Sequence, residues 1–293
     1  MKSLRGLGVA LITPFKKDLS VDVPALNKLV EYNIQEGADF LVVLGTTGES
    51  ATLTSEEKEL VIETIINTTN KRVPLVLGVG GNDTEVLKKQ VADKEKLAPF
   101  DAILSVSPYY NRPSQEGIYQ HYKALAEVTV KPIIMYNVPS RTGSNMAPET
   151  IIKLANEFDT LIGIKEAGGD MDKALRILRD RPEGFLVLSG DDMLALPMVT
   201  AGGDGVISVI GQSLVSAFSQ VIRDGLNGAS KEAYQTHYTA MPSIDLIFEE
   251  GNPVGIKELL MQQGICENYV RLPLVKASSG LNQKIKEFLK DWK

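Results

Sequence analysis

The chain has 293 residues, of which 43% are hydrophobic and 23% charged, the proportions of a globular protein and not of a disordered one. That length suits one large domain or two ordinary ones. The net charge of −6 argues against a general nucleic-acid or membrane surface, because both call for a basic face; an anionic substrate would have to be held by a few local cations.

There is a single cysteine, Cys266, so no internal disulfide forms, which fits a reducing compartment. The start, Met1-Lys2-Ser3-Leu4-Arg5, leads into a short apolar run broken by Thr13-Pro14, without the apolar core and cleavage site of a signal peptide. Nowhere do about 18 apolar residues run together. The expectation is a cytoplasmic, soluble enzyme.

Along the chain, short apolar and β-branched runs alternate with longer amphipathic stretches. The runs are residues 8–13, 40–44, 75–79, 102–106, 133–136, 161–164, 185–188 and 205–209. Each is followed by a plausible helix. In residues 55–70, Thr54 or Ser55 can cap the helix, Glu56 and Glu57 favour its N-terminus, and Leu60, Val61, Thr64 and Ile65 recur at helical spacing. The runs are nearly continuous in apolar residues, as strands buried on both faces of a parallel sheet require. Eight such units match a closed (β/α)8 TIM barrel. An open doubly wound sheet would want a glycine fingerprint after its first strand, and Ile12-Thr13-Pro14-Phe15 supplies none. From about Asn227 the strand runs stop, and Pro253 and Pro273 punctuate what remains. The expected division is a catalytic barrel over residues 1–226 and a C-terminal helical extension over 227–293, packed on the barrel.

Barrel active sites lie at the C-terminal ends of the strands. That rule selects Gly45-Thr46-Thr47-Gly48-Glu49-Ser50 after the second strand, Ser107-Pro108-Tyr109-Tyr110 after the fourth and Tyr136-Asn137-Val138-Pro139-Ser140-Arg141 at the fifth. It also selects Lys165-Glu166 at the sixth, Ser189-Gly190-Asp191-Asp192 at the seventh and Ile207-Ser208 at the eighth. Lys165 is the most informative of these. A lysine among apolar walls loses proton affinity because desolvation disfavours the ammonium, and a neutral amine attacks a ketone to make an imine. The protonated imine draws electrons from the next carbon and yields a carbon nucleophile without a metal or cofactor. The competing reading is a structural lysine paired with a carboxylate such as Glu166. Tyr136, on the adjacent strand, can move a proton during imine formation or be a core aromatic with a wet tip. Thr46 and Thr47 offer hydroxyls for a proton relay or a carboxylate, or they form a helix-capping turn. Arg141 can clamp a carboxylate or serve as a surface ion-pair residue.

Other chemistries have less support. Both histidines, His121 and His237, fall in predicted helices, so no metal cluster is expected. Asp191-Asp192 reads as a helix-capping pair. There is no nucleophile elbow and no phosphate loop with its lysine. Residues 201–205 (Ala201-Gly202-Gly203-Asp204-Gly205) precede the eighth strand and read as a tight turn at the far end of the barrel.

The Gly45-Thr46-Thr47-Gly48-Glu49-Ser50 motif, the Tyr136-Asn137-Val138-Pro139-Ser140-Arg141-Thr142-Gly143 motif and Lys165 together resemble the pyruvate-dependent lyases related to N-acetylneuraminate lyase. The resemblance begins at Val9-Ala10-Leu11-Ile12 and reaches Arg271-Leu272-Pro273-Leu274. The Thr46-Thr47 pair, Arg141 and Pro108-Tyr109-Tyr110-Asn111-Arg112-Pro113 resemble the dihydrodipicolinate synthase family within that group. The resemblance implies that Lys165 forms the imine with pyruvate and that Tyr136, Thr46 and Tyr110 form a hydroxyl relay, with Tyr110 entering the site of a neighbouring subunit. It further implies that Thr47 binds the pyruvate carboxylate, that Arg141 guides the carboxylate of aspartate semialdehyde, and that the Ile207 carbonyl lies near the nucleophile. No cofactor is implied, and a homotetramer built from tight dimers is. The alternatives are a lyase acting on a sialic acid or a 2-keto-3-deoxy sugar acid, which would replace the Arg141 clamp with neutral groups, and a non-catalytic small-acid-binding barrel, which needs no nucleophilic lysine.

At the lysine-inhibition pocket of that family, Ser50, Ala51, Asn82 and Tyr109 match, whereas Ser55 and Lys58 stand where some inhibited members carry histidines. Val86 stands where they carry a glutamate, with Glu85 one place earlier. Losing that carboxylate removes a partner for lysine's ammonium groups. A lysine titration of the activity is expected to show weak or no inhibition at sub-millimolar concentration; strong inhibition there would contradict the reading.

Overall fold

The computed structural model describes residues 4–292; Met1, Lys2 and Ser3, read above for targeting, lie outside the described residues, as does Lys293. The strands are β1 Gly6–Ala10, β2 Phe40–Val43, β3 Leu75–Gly78, β4 Ala102–Val106, β5 Ile133–Asn137, β6 Leu161–Glu166, β7 Leu186–Ser189 and β8 Gly205–Ser208. They close into one barrel in chain order. Every neighbouring pair is parallel, including β1 with β8.

Alternation explains why the strands read as unbroken apolar runs. Phe40, Val42, Ala102, Leu104, Ile134, Tyr136, Leu188 and Ile207 form one inner cluster. Their chain neighbours Leu41, Val43, Ile103, Ile133, Met135 and Val187 belong to a larger cluster shared with the helices. Successive strand residues face opposite sides, so both faces are apolar when one lines the barrel and the other meets helices. Phe40 fills the interior beside Gly8, where a Cβ would lie 2.2 Å from the ring.

The largest differences from the sequence expectation lie in two strands and have long-range causes. β1 ends at Ala10, not Thr13, because Ile12 N–H bonds the Gln212 side chain (2.9 Å) instead of a strand. The amide of the same glutamine donates to Ala10 O (3.0 Å), joining the exits of β1 and β8. β6 runs on through Lys165 and Glu166, which pair with Tyr136 and Asn137 of β5. The predicted helix after β2 spans Ser55–Thr69, with Thr54 as cap in a reciprocal capping box with Glu57. Residues 201–205 form the expected turn, closed by Gly203 N–H to Met198 O at 2.8 Å.

Beyond β8 and the helix Val215–Leu226 come the helices Ser230–Glu249, Val254–Gln262 and Ser279–Asp291. No helix among the described residues is long and apolar enough to cross a membrane. The C-terminal segment is latched to the loop after β2. Lys257 is fully buried, and its ammonium bonds Glu49 Oε1 (2.5 Å) and Tyr269 O (2.8 Å) above the Phe15 ring. Burial pulls the Lys257 ammonium below its ordinary pKa, and Glu49 opposes that pull. Arg271 donates its backbone N–H to Glu49 Oε2 (3.0 Å) and its guanidinium to Glu57, whose carboxyl the guanidinium holds down at about 2.

Removing one partner of a buried pair strands the other charge out of water, at a cost of about 3–5 kcal/mol. Lys257→Met is therefore expected to lower the urea unfolding midpoint strongly, and Glu49→Gln combined with Lys257→Met is expected to recover part of the loss. Equal stability of Lys257→Met and the parent would contradict the latch.

Candidate active site

Lys165 and Tyr136 occupy paired positions on β6 and β5. Both are buried, and Lys165 Nζ lies 4.4 Å from the centre of the Tyr136 ring. The neighbouring carboxylate does not serve Lys165, because adjacent strand residues face opposite sides. Glu166 instead pairs with Lys173 Nζ at 2.9 Å and accepts from Asn137 Nδ2 (2.8 Å) and Gly168 N–H (2.7 Å). This corrects the reading of Lys165 as half of a pair with Glu166. Room for the lysine comes from Gly190 at the exit of β7, where a Cβ would lie 2.8 Å from Lys165 Cε and 2.6 Å from Ala167 Cβ.

Beside Tyr136 opens a cavity of about 880 Å³, lined in part by Thr46, Tyr136 and Arg141. The loop after β2 enters it through two short 3-10 turns, Thr46–Gly48 and Ser50–Thr52, neither with a side-chain cap. The two threonines are thus not helix-capping residues. Thr13 Oγ1 donates to Gly48 O (2.7 Å), and Glu49, held by the latch, sits in the left-handed region at φ 52°. Thr46 is exposed to the cavity, whereas Thr47 is buried. Thr47 Oγ1 accepts from Asn252 Nδ2 at 2.9 Å, and the carbonyl of Asn252 accepts from the Arg141 guanidinium at 3.4 Å. Arg141 rides on the short helix Pro139–Thr142 that β5 feeds directly.

Thr46, Tyr136 and Arg141 thus line one cavity, Lys165 lies beside the Tyr136 ring, and Thr47 is tied through Asn252 to Arg141. Ile207 belongs to the inner barrel cluster with Tyr136. Tyr110 is not gathered: it is 87% exposed, in the left-handed region at φ 71°. Its neighbour Tyr109 lines the cavity, as do Ser50, Ala51 and Lys58, while Val86 is exposed. Asp191 caps the next turn through Met193 N–H at 2.9 Å. Asp192 does not cap: it is buried and accepts from the backbone of Val209 and Ile210, and burial pushes its carboxyl up to about 6. It holds the exit of β8. His121 bonds Thr84 and His237 bonds Met193 O, both within helices. Cys266 is buried and free, its thiol pushed up to about 12 by burial.

Sequence reasoning missed Gly190 and Asn252. Gly190 stood in a motif noted for its acids, and its position directly after a strand was the available signal. Asn252 comes from the extension, more than 200 residues from Thr47, and nothing local to it points to the site.

The chain belongs to the dihydrodipicolinate synthetase family, whose pattern it matches over residues 3–292. It is 54% identical to the 4-hydroxy-tetrahydrodipicolinate synthase of Flavobacterium psychrophilum over 290 residues, 99% of each chain. It is 50% identical to the enzyme of that name from Parabacteroides distasonis, covering 98% of this chain and 97% of the relative. The crystal structure of dihydrodipicolinate synthase from Thermotoga maritima superimposes with a TM-score of 0.95 at 38% identity, covering 98% of both chains.

Gly190→Ala is expected to fold but to displace Lys165 from its place beside Tyr136. Borohydride trapping of pyruvate should slow by about tenfold or more, since small misplacements of a reacting group carry costs of that order. Trapping at the parent rate would contradict the packing argument.

Proposed function

We propose that this chain condenses pyruvate with L-aspartate 4-semialdehyde to give 4-hydroxy-tetrahydrodipicolinate, a step of lysine and diaminopimelate biosynthesis. The observation that carries the reading is the buried Lys165 amine beside the Tyr136 ring, with its neighbouring carboxylate committed elsewhere. Kinship with synthases at 54% and 50% identity supports the choice of substrates.

In this reading, Lys165 Nζ attacks the ketone carbon of pyruvate. Tyr136, with Thr46 and a neighbouring copy's Tyr110, passes the proton that lets water leave as the imine forms. Loss of a methyl proton gives the enamine, and its carbon adds to the aldehyde carbon, whose oxygen takes a proton. The amine of the second substrate then attacks the imine carbon, displaces Lys165 and closes the ring. Thr47 holds the pyruvate carboxylate, Arg141 that of the semialdehyde, and the Ile207 carbonyl faces the reacting centre. The lysine serves as electron sink, so the reading needs no cofactor.

The setting we assign is a cytoplasmic homotetramer of tight dimers, in which residues 227–293 act as a positioning extension of a catalytic barrel formed by 1–226. The exposed Tyr110 favours a shared site, because a relay hydroxyl facing solvent serves no reaction within its own chain.

A coupled assay with both substrates tests the proposal. Parent enzyme should turn over, Lys165→Ala should lose activity and pyruvate trapping together, and Arg141→Ala should trap pyruvate normally while losing at least about 100-fold in kcat/KM for the semialdehyde, the scale of a lost charged contact. A folded parent that traps pyruvate without turning over the semialdehyde would move the second substrate to another aldehyde.

A further inference from the structure

We infer that Asn252 is a positioning residue that sets the direction of the Thr47 hydrogen bond, and so tunes the affinity for pyruvate. The inference rests on the reading of Thr47 as the group that holds the pyruvate carboxylate. A threonine hydroxyl has one hydrogen to give and two lone pairs to receive with. Asn252 Nδ2, 2.9 Å from Thr47 Oγ1, occupies a lone pair. Among the described residues, no protein acceptor takes the Thr47 hydrogen, although the residue is buried. A buried donor with no protein acceptor is poised for an acceptor that arrives with the substrate, and a carboxylate is the strongest candidate of that kind.

The opposite amide orientation has a distinct consequence. Asn252 Oδ1 is enclosed without a partner. Exchanging it with Nδ2 would enclose two unspent donors in place of one acceptor and consume the Thr47 hydrogen within the protein. Asn252 also faces the second carboxylate clamp, since its carbonyl accepts from Arg141 at 3.4 Å. It stands just before the helix Val254–Gln262 that carries Lys257, and that lysine is fixed to Glu49 at the far end of the threonine loop. A single residue of the C-terminal segment therefore references both carboxylate-binding groups, from a mount tied to the same loop.

The test uses Asn252→Asp and Asn252→Ala in the full-length protein, with pyruvate titrated in borohydride trapping and in the coupled assay. An aspartate accepts only. It would take the Thr47 hydrogen and set a negative charge beside the anionic substrate. Its half-saturating pyruvate should rise by about tenfold or more, and that of the alanine variant by about threefold, the range for a charged and a neutral hydrogen bond. The kcat at saturating pyruvate should stay within about twofold of the parent in both variants, with unchanged thermal midpoints. Parent-like pyruvate affinity in Asn252→Asp would overturn the inference, as would equal losses in both variants accompanied by lowered thermal midpoints, which mark a structural role. A parent protein that traps no pyruvate at all would overturn the proposed function and this inference with it, an outcome separate from the other two.

Discussion

Glu49 is buried, on backbone in the left-handed region. Such a residue persists only when its surroundings hold it. Here the holding group is the fully buried Lys257, assisted by the backbone of Arg271. Neither charge tolerates the loss of the other, so the loop after β2 and the C-terminal helices are fixed as one body. The 3-10 turn of Thr46 and Thr47 lies between that anchor and the end of β2, and its hydroxyls inherit their positions from it. Catalysis by proximity needs placement to fractions of an ångström, and a loop held by an enclosed ion pair supplies it better than one held by surface contacts.

The barrel solves the complementary problem of presenting an amine without neutralising it. Alternation along β6 turns Lys165 toward Tyr136 and Glu166 away from it, into a network with Lys173 and Asn137. The acid beside Lys165 in sequence is thereby spent on holding β5 and β6 to the helix Met171–Asp180. On the next strand Gly190 keeps the space the lysine side chain fills. Near the same mouth, Gln212 joins the exits of β1 and β8, and Asp192 ties the segment after β7 to the exit of β8.

The fold was legible because parallel strands buried on both faces leave an apolar signature that repeats; all eight expected runs coincide with strands to within a few residues. The exceptions have causes no local pattern contains. Leu11, Ile12 and Thr13 read as strand because they are apolar or β-branched, but the backbone of Ile12 is claimed by a glutamine 200 residues away. Lys165 and Glu166 read as strand exit because they are charged, yet partners across the sheet make them strand. Lys165, Tyr136, Thr46, Thr47 and Arg141 stood out as candidates in the sequence because barrel chemistry concentrates at strand ends. Asn252 and the Glu49–Lys257 latch were not, because their meaning lies in long-range contacts.

The account turns on which lysine becomes the electrophile's partner. Two lysines are deeply buried beside aromatic rings, Lys165 above Tyr136 and Lys257 above Phe15. Lys257 is committed to a carboxylate, whereas Lys165 lies beside Tyr136, a residue of the cavity wall, and its neighbour Glu166 is paired with Lys173. Peptide mapping by mass spectrometry after borohydride reduction with pyruvate distinguishes them directly. The account predicts one reduced pyruvate per chain, on the peptide containing Lys165. An adduct on Lys257, or no adduct on a folded chain, would contradict it.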